Sequence, residues 1–156
     1  MATLYLLCGL PGAGKTTLAK ELEQSPATMR LTPDEWLGEL LTDAGDKPAL
    51  DRLREPVEAM QWELAKKLLR LEINVVLDWG FWTRAKRAWY RREAALIGAQ
   101  VVTHFLAAPR EELWARLAAR NMNLSVGTFH VSEAELNGWL PHYEPPAADE
   151  LNLLAD

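Results

Sequence analysis

The chain has 156 residues, 49% of them apolar and 25% charged, with a formal net charge of -5. That size supports about one domain with its own core, and the acidic balance disfavours bulk DNA or RNA, whose non-specific binders are basic. A single cysteine, Cys8, excludes a disulfide framework within the chain and fits a reducing cytoplasm, and no apolar run approaches the roughly 18 residues of a membrane helix.

The first residues lack a basic n-region and read as a core strand, not a signal peptide. Leu4 to Cys8 suits a central parallel strand buried on both faces. A helical pattern follows from Lys15 to about Gln24, and Thr28 to Leu31 can form a second short strand. Thr32 is a suitable N-cap, Pro33 suits the first helical position and Glu35 stands where a capping box places an acid. Trp36, Leu37, Leu40 and Leu41 supply that helix's apolar face. Asp43 to Pro48 is polar and turn-like. Leu53, Val57, Met60, Leu64, Leu68 and Leu71 recur at helical spacing. Pro56 is tolerated only in a first turn, which puts the start of this helix near Glu55 and its end near Glu72.

Ile73 to Leu77 is the strongest strand pattern, and Asp78 ends it. Thr83 can cap a helix to about Ile97, where Gly98 stops it. Gln100 to Leu106 is a further strand, and Pro109 opens a helix to about Asn121. A polar gap from Asn123 to Val131 precedes a second capping box, Ser132 with Glu135, for a short helix to Leu140. The tail carries Pro141, Pro145 and Pro146, then a weak apolar run, Leu151 to Leu154. Strands alternating with helices predict a single α/β domain over 1–156, a three-layer sandwich around a mostly parallel sheet of four or five strands.

Residues 9–16, Gly9-Leu10-Pro11-Gly12-Ala13-Gly14-Lys15-Thr16, match the phosphate-binding pattern G-x-x-x-x-G-K-[ST] without departure. Small residues let the backbone curl around phosphates with its N–H groups inward, and the helix N-terminus favours negative charge. Lys15 should reach the β- and γ-phosphates, Thr16 should place its hydroxyl on Mg²⁺, and Thr17 is placed near the α-phosphate. The motif carries nucleotide triphosphate binding. It does not name an acceptor.

Two carboxylates follow strands. Asp34 lies after the second strand, at the carboxyl edge where ligands of such sheets bind. It can orient an acceptor hydroxyl and take its proton, or merely favour the helix dipole. Asp78 can hold a metal-bound water or position substrate, or be a strand-end turn residue. Arg116 and Arg120 share one helix face before the polar gap. They either close over the phosphates, within a short lid near 116–131, or form a solvated face. Arg84 stands nearest the expected active edge, whereas Arg87 and Arg91 read as surface or salt-bridge residues. Trp79, Phe81 and Trp82, with Trp36, either wall an acceptor pocket or pack the core. His104 reads as a packed strand residue, and no cysteine–histidine cluster has zinc-ligand spacing.

The segments GLPGAGKTT at 9–17, TPDEW at 32–36, VVLDWGFWTRAKR at 75–87 and LAAPREELWARLAARN at 106–121 resemble the small P-loop kinases of the AAA-type ATPase, zeta-toxin and polynucleotide-kinase-like group. The resemblance spans almost the whole chain. It implies an adenylate-kinase-like strand order 2-3-1-4-5, the fifth strand coming from the weak tail or being absent. It implies ATP and Mg²⁺ as cofactors, with Gly9, Pro11, Gly12, Ala13, Gly14, Lys15, Thr16 and Thr17 around the nucleotide, and Thr16 and Asp78 near the metal. By the same resemblance Asp34 activates the acceptor hydroxyl, and Arg120, with its neighbour Arg116, is the lid arginine. Polynucleotide kinases of the group often carry an arginine three residues after the activating acid. Leu37 stands there instead, which argues against an acceptor gripped by its phosphate at that point.

The resulting expectation is a cytoplasmic, ATP-dependent phosphotransferase, monomeric or homodimeric. Its acceptor would be a small antibiotic-, nucleoside- or sugar-like hydroxyl compound, with neither bulk nucleic acid nor membrane as partner. The rivals are a nucleotide-dependent regulatory ATPase and a toxin-like or polynucleotide 5′-kinase-like enzyme.

Overall fold

The computed structural model describes residues 1–151. Four strands, β1 (Thr3–Cys8), β2 (Thr28–Leu31), β3 (Asn74–Gly80) and β4 (Gln100–Phe105), form one sheet in the order β2-β3-β1-β4. Every pairing is parallel. These are the first four positions of the expected order. The expected fifth strand, Leu151 to Leu154, lies almost wholly outside the described residues.

Six α-helices accompany the sheet among the described residues: α1 (Lys15–Glu23), α2 (Pro33–Leu40), α3 (Lys47–Arg70), α4 (Arg84–Leu96), α5 (Arg110–Asn121) and α6 (Glu133–Trp139). Side chains alternate across a strand with period two, and β1 and β3 show it. Leu4, Leu6, Val75 and Leu77 pack with Trp62, Leu69, Tyr90 and Ala94 of α3 and α4 on one face. Leu7 and Val76 meet Ala19 of α1 on the other. By the same alternation Asp78 points to the α1 face. Among the described residues no helix is long and apolar enough to cross a membrane.

Two boundaries differ from the sequence expectation. α3 begins at Lys47, not near Glu55, and Pro56 lies inside it. Asp46 caps it by accepting from the Ala49 N–H at 3.0 Å, and Pro48 occupies the first turn. The extra turns bury Leu50, which joins Val57 against Leu37 and Phe129. Pro56 is exposed, as is Arg52, whose carbonyl the proline leaves without a helical partner, so water can satisfy that carbonyl. β3 also continues past Asp78 to Gly80. Its register against β1 shifts by one residue between Leu6↔Leu77 and Cys8↔Gly80. Such a bulge re-aims side chains at a sheet's functional edge.

The tail straps the loop after β3. Arg87 of α4, completely buried, donates to both carboxylate oxygens of Glu150, at 2.7 and 3.0 Å, and to the carbonyls of Phe81 (2.9 Å) and Glu144 (2.8 Å). Phe81 needs that hold, because it stands at φ 45°, where a non-glycine residue is strained. The hydrogen bonds from Arg87 hold the Glu150 carboxyl down to about 2. Glu150→Ala strands a buried guanidinium and should cost about 3–5 kcal/mol of unfolding free energy, read by urea titration. Because this pKa is depressed, the stabilisation is fully present above the unfolded value, about 4.3, and is lost as pH falls toward 2. The gap between wild type and Glu150→Gln should therefore close over that interval.

Candidate active site

The loop between β1 and α1 owes its shape to two glycines in left-handed backbone, Gly12 (φ 87°) and Gly14 (φ 98°). At Gly12 even a methyl would not fit, since a Cβ would stand 3.0 Å from the Leu113 carbonyl and 3.2 Å from Leu117 Cγ. Gly14 supplies no side-chain cap to α1, so the first N–H groups of that helix are left for an anion. Lys15 lies back across the loop and donates to the Leu10 carbonyl at 3.0 Å. Burial pushes its pKa below the ordinary lysine value, against the pull of Asp78 and Asp34.

Thr16, the second residue of α1, donates its hydroxyl to Asp78 Oδ2 at 2.9 Å. Burial raises the Asp78 carboxyl, opposed by Lys15 and by this hydrogen bond. Asp34, in the first turn of α2, has Oδ1 3.0 Å from Arg54 Nη2 of α3, an ion pair without hydrogen-bond geometry. Glu35 does not close the expected capping box. Thr32 makes no side-chain cap, and Glu35 instead accepts from Arg30 at 2.6 Å. Arg30 is drawn there because it is largely buried at the end of β2 and also binds Glu23.

Arg116 donates to the Gly12 carbonyl at 3.1 Å and pairs with Glu112. One turn on, Arg120 reaches the Phe129 carbonyl at 3.4 Å, and its buried Nε has no partner. Burial lowers the Arg120 pKa, opposed by Asp34. The segment after α5 rests on α2 backbone to backbone: a Cβ on Gly38 would stand 2.8 Å from the Gly127 nitrogen.

These parts line one cleft of about 810 Å³. It brings together Pro11, Gly12, Gly14, Lys15, Thr16, Thr17, Asp34, Asp78, Arg116 and Arg120, and its wall includes Trp79, Phe81 and Trp82. Trp79 and Phe81 stack 5.8 Å apart at 11°. Gly9 and Ala13 do not line it. Gly9 stands under the loop, where a Cβ would meet the Leu106 carbonyl at 3.1 Å, and Ala13 packs with Leu113 and Leu117. Trp36 also stays out of the cleft, packed with Leu37 and Phe129. Arg84 turns from the active edge toward Asp149, which it meets at 3.3 Å through Nη1.

Three further residues organise the site without a sequence signal. Gln61, fully buried, donates to the Thr32 carbonyl at 3.0 Å and accepts from the Trp79 indole at 3.2 Å, tying α3 to the ends of β2 and β3. Arg54 reaches Asp34, and Lys86 sits over the Trp79 and Phe81 rings, 5.9 and 5.8 Å from their centroids.

A four-stranded parallel sheet with a glycine-rich phosphate loop between its first strand and helix defines a P-loop NTPase. Residues 4–146 match the AAA domain model AAA_33, and the chain belongs to that family. No curated protein sequence matches it significantly. A candidate kinase from Chloroflexus aurantiacus shares the fold, with a TM-score of 0.74 at 17% identity over 99% of this chain and 84% of that one. So does Chaetomium thermophilum Kti12 in complex with ADP-AlF3, at 0.67 and 15% over 96% and 86%. The gluconokinase of Sinorhizobium meliloti 1021 gives 0.55 and 18% over 95% and 77%. In a Pnkp1/Rnl/Hen1 complex the likeness is 0.63 at 22%, and this chain spans only 38% of that chain's length. At these identities the neighbours share the P-loop fold with this chain.

Removing the loop cation should show in turnover rather than in folding. Lys15→Ala is expected to slow nucleotide turnover by about 100-fold or more, with circular dichroism and thermal midpoint near wild type. Arg120→Ala should reduce the single-turnover chemical rate more than it weakens ATP affinity, because charge on the transferring group builds mainly in the transition state. An unchanged chemical rate would return Arg120 to a packing role.

Proposed function

We propose that this protein transfers the γ-phosphoryl group of ATP to a hydroxyl group of a small molecule. The observation that carries the reading is the cleft itself, which Lys15, Thr16, Asp78, Asp34 and Arg120 line together. A regulatory ATPase has no need of a second carboxylate in the cleft besides Asp78.

The residues fit a magnesium nucleotide. Thr16 and Asp78 put two hard oxygen donors 2.9 Å apart beside the loop. Among the described residues no group of three or more His, Cys, Asp or Glu side chains could hold a metal alone, which suits an ion completed by phosphate and water oxygens. Bound there, Mg²⁺ would neutralise charge between the phosphates. Lys15 and the free N–H groups of α1 hold the phosphate chain. Arg120, its Nε unpartnered, is free to donate to the oxygens that gain charge during transfer. Asp34 takes the proton of the acceptor hydroxyl as its oxygen bonds to the γ-phosphorus and the bond to the leaving ADP oxygen breaks. Arg54 fixes the orientation of Asp34. The aromatic wall at Trp79, Phe81 and Trp82 excludes water from that side.

Asp34→Asn tests this directly. Helix-end electrostatics is worth about 0.3–1 kcal/mol, and Glu35 next door supplies the same sign of charge. Proton acceptance is worth roughly 100- to 10,000-fold in rate. The variant should keep ATP affinity and thermal midpoint, lose most phosphorylation of an acceptor found by metabolite and antibiotic screening, and keep most of its background ATP hydrolysis. Acceptor phosphorylation at the wild-type rate would rule Asp34 out as the base.

A further inference from the structure

A second groove, about 660 Å³, runs along α3 and opens onto the cleft, with Asp51, Arg54, Glu58 and Lys86 lining both. Its charges divide unevenly. Arg54 is engaged by Asp34 at 3.0 Å, Lys86 by Glu58 at 2.7 Å, and Glu63 by Lys66 at 2.7 Å. Asp51 and Glu55, one turn apart on α3, have no ion-pair partner among the described residues and are exposed. The other cations of the acceptor side are also engaged, Arg30 by Glu23 and Glu35 and Lys47 by Glu135. A ligand entering here meets two free carboxylates and no free cation.

The floor of the groove is aromatic. Trp62 packs against Trp89 at 6.1 Å and Tyr90 at 4.9 Å, both edge-on. Independently of the carboxylates, Trp62 is 4% exposed, lines the groove, and leaves its indole N–H without an acceptor. A buried donor without a partner is costly and calls for one.

We propose that this groove binds the acceptor and that the acceptor is an amine-bearing polyhydroxy ring compound. Its ammonium lies at Asp51 and Glu55, one face of its ring rests on the Trp62–Trp89 surface, a ring oxygen accepts from the Trp62 N–H, and another hydroxyl reaches Asp34. Asp51 and Glu55 lie within one helical turn of Arg54, which touches Asp34. Hydroxyl and amine are therefore separated by on the order of 5–10 Å, the span of a ring or two rather than of a short amino alcohol. The identity of the reacting hydroxyl rests on the kinase reading above, whereas occupancy of the groove does not.

The test is equilibrium binding without nucleotide, by calorimetry. The probes are matched pairs of amino sugars and aminocyclitol glycosides with their N-acetylated forms, against wild type and Asp51→Asn/Glu55→Gln. The free-amine members should bind about 10- to 100-fold more tightly than their N-acetyl partners. The double variant should erase that preference while keeping its thermal midpoint, and added salt should weaken the amine members selectively. Equal binding of both members, no binding by either, or an undiminished preference in the double variant overturns the proposal. Phosphate release and product mass are then read with ATP. Amine-selective binding without phosphorylation would leave the groove assignment standing and remove the kinase reading.

Discussion

The parallel pairing of β1 with β3 is the constraint on which the site depends. It sets Cys8 beside Gly80, and the Gly9 N–H donates to the Gly80 carbonyl at 3.0 Å. The phosphate loop leaves β1 at that point, and the acid-bearing strand ends one residue from it. Strand alternation from Val76 puts Asp78 on the α1 face, within hydrogen-bond reach of Thr16. A slip in the register of a strand buried on both faces would send Asp78 to the α3 face and separate the two groups. Chain order alone leaves them 62 residues apart.

Electrostatics sharpens the division that this pairing creates. Lys15 and Arg120 are both pushed below their ordinary values by burial, while the Asp78 carboxyl is pushed up. The shared cause is desolvation, which penalises each charged form. A phosphate chain beside Lys15 and Arg120 would supply the counter-charge that burial withholds from both. The part of the cleft around Asp34 is built differently. Its cations are already matched to carboxylates at 2.6–3.2 Å, and it gains little from further negative charge. Leu37, three residues after Asp34, is fully buried with Leu50 and Phe129 and brings no charge to the cleft.

Much of this was legible in the residues, for physical reasons that also mark the limits. The loop 9–16 is a local device, and its glycines need left-handed backbone or close approach wherever they occur. Ser132 with Glu135 likewise forms the reciprocal cap expected of its spacing, at 3.1 and 2.8 Å. The start of α3 was not legible, because Pro56 is a strong local stop and only tertiary burial of Leu50 and Val57 outweighs it. That misplacement also hid Arg54, which enters the site only if the helix begins before it. Glu35 obeys local capping rules on paper, but Arg30 on the neighbouring strand offers an ion pair instead. Arg87 reads as a surface or salt-bridge residue by spacing; the salt bridge forms, but its partner Glu150 lies 63 residues away and the pair is buried. Long-range polar partners leave no periodic trace.

The placement of the two arginines on α5 follows from the same economy of contacts. Leu113 and Leu117 pack directly beneath Gly12, and Arg116 binds the Gly12 carbonyl from the next face. α5 is thus referenced to the phosphate loop by apolar contact and by hydrogen bond, not through a flexible hinge. Arg120 lies one turn farther, where the Gly38–Gly127 backbone contact and the Phe129 carbonyl hold the following segment against α2. A cation that stabilises developing charge is effective when its position is set before the reaction. Here the residue that would hold that charge and the residue that would take the proton are set by one packed unit, α2 against the segment after α5. Substitutions at Gly38 or Gly127 would shift both together, although neither glycine carries chemistry of its own.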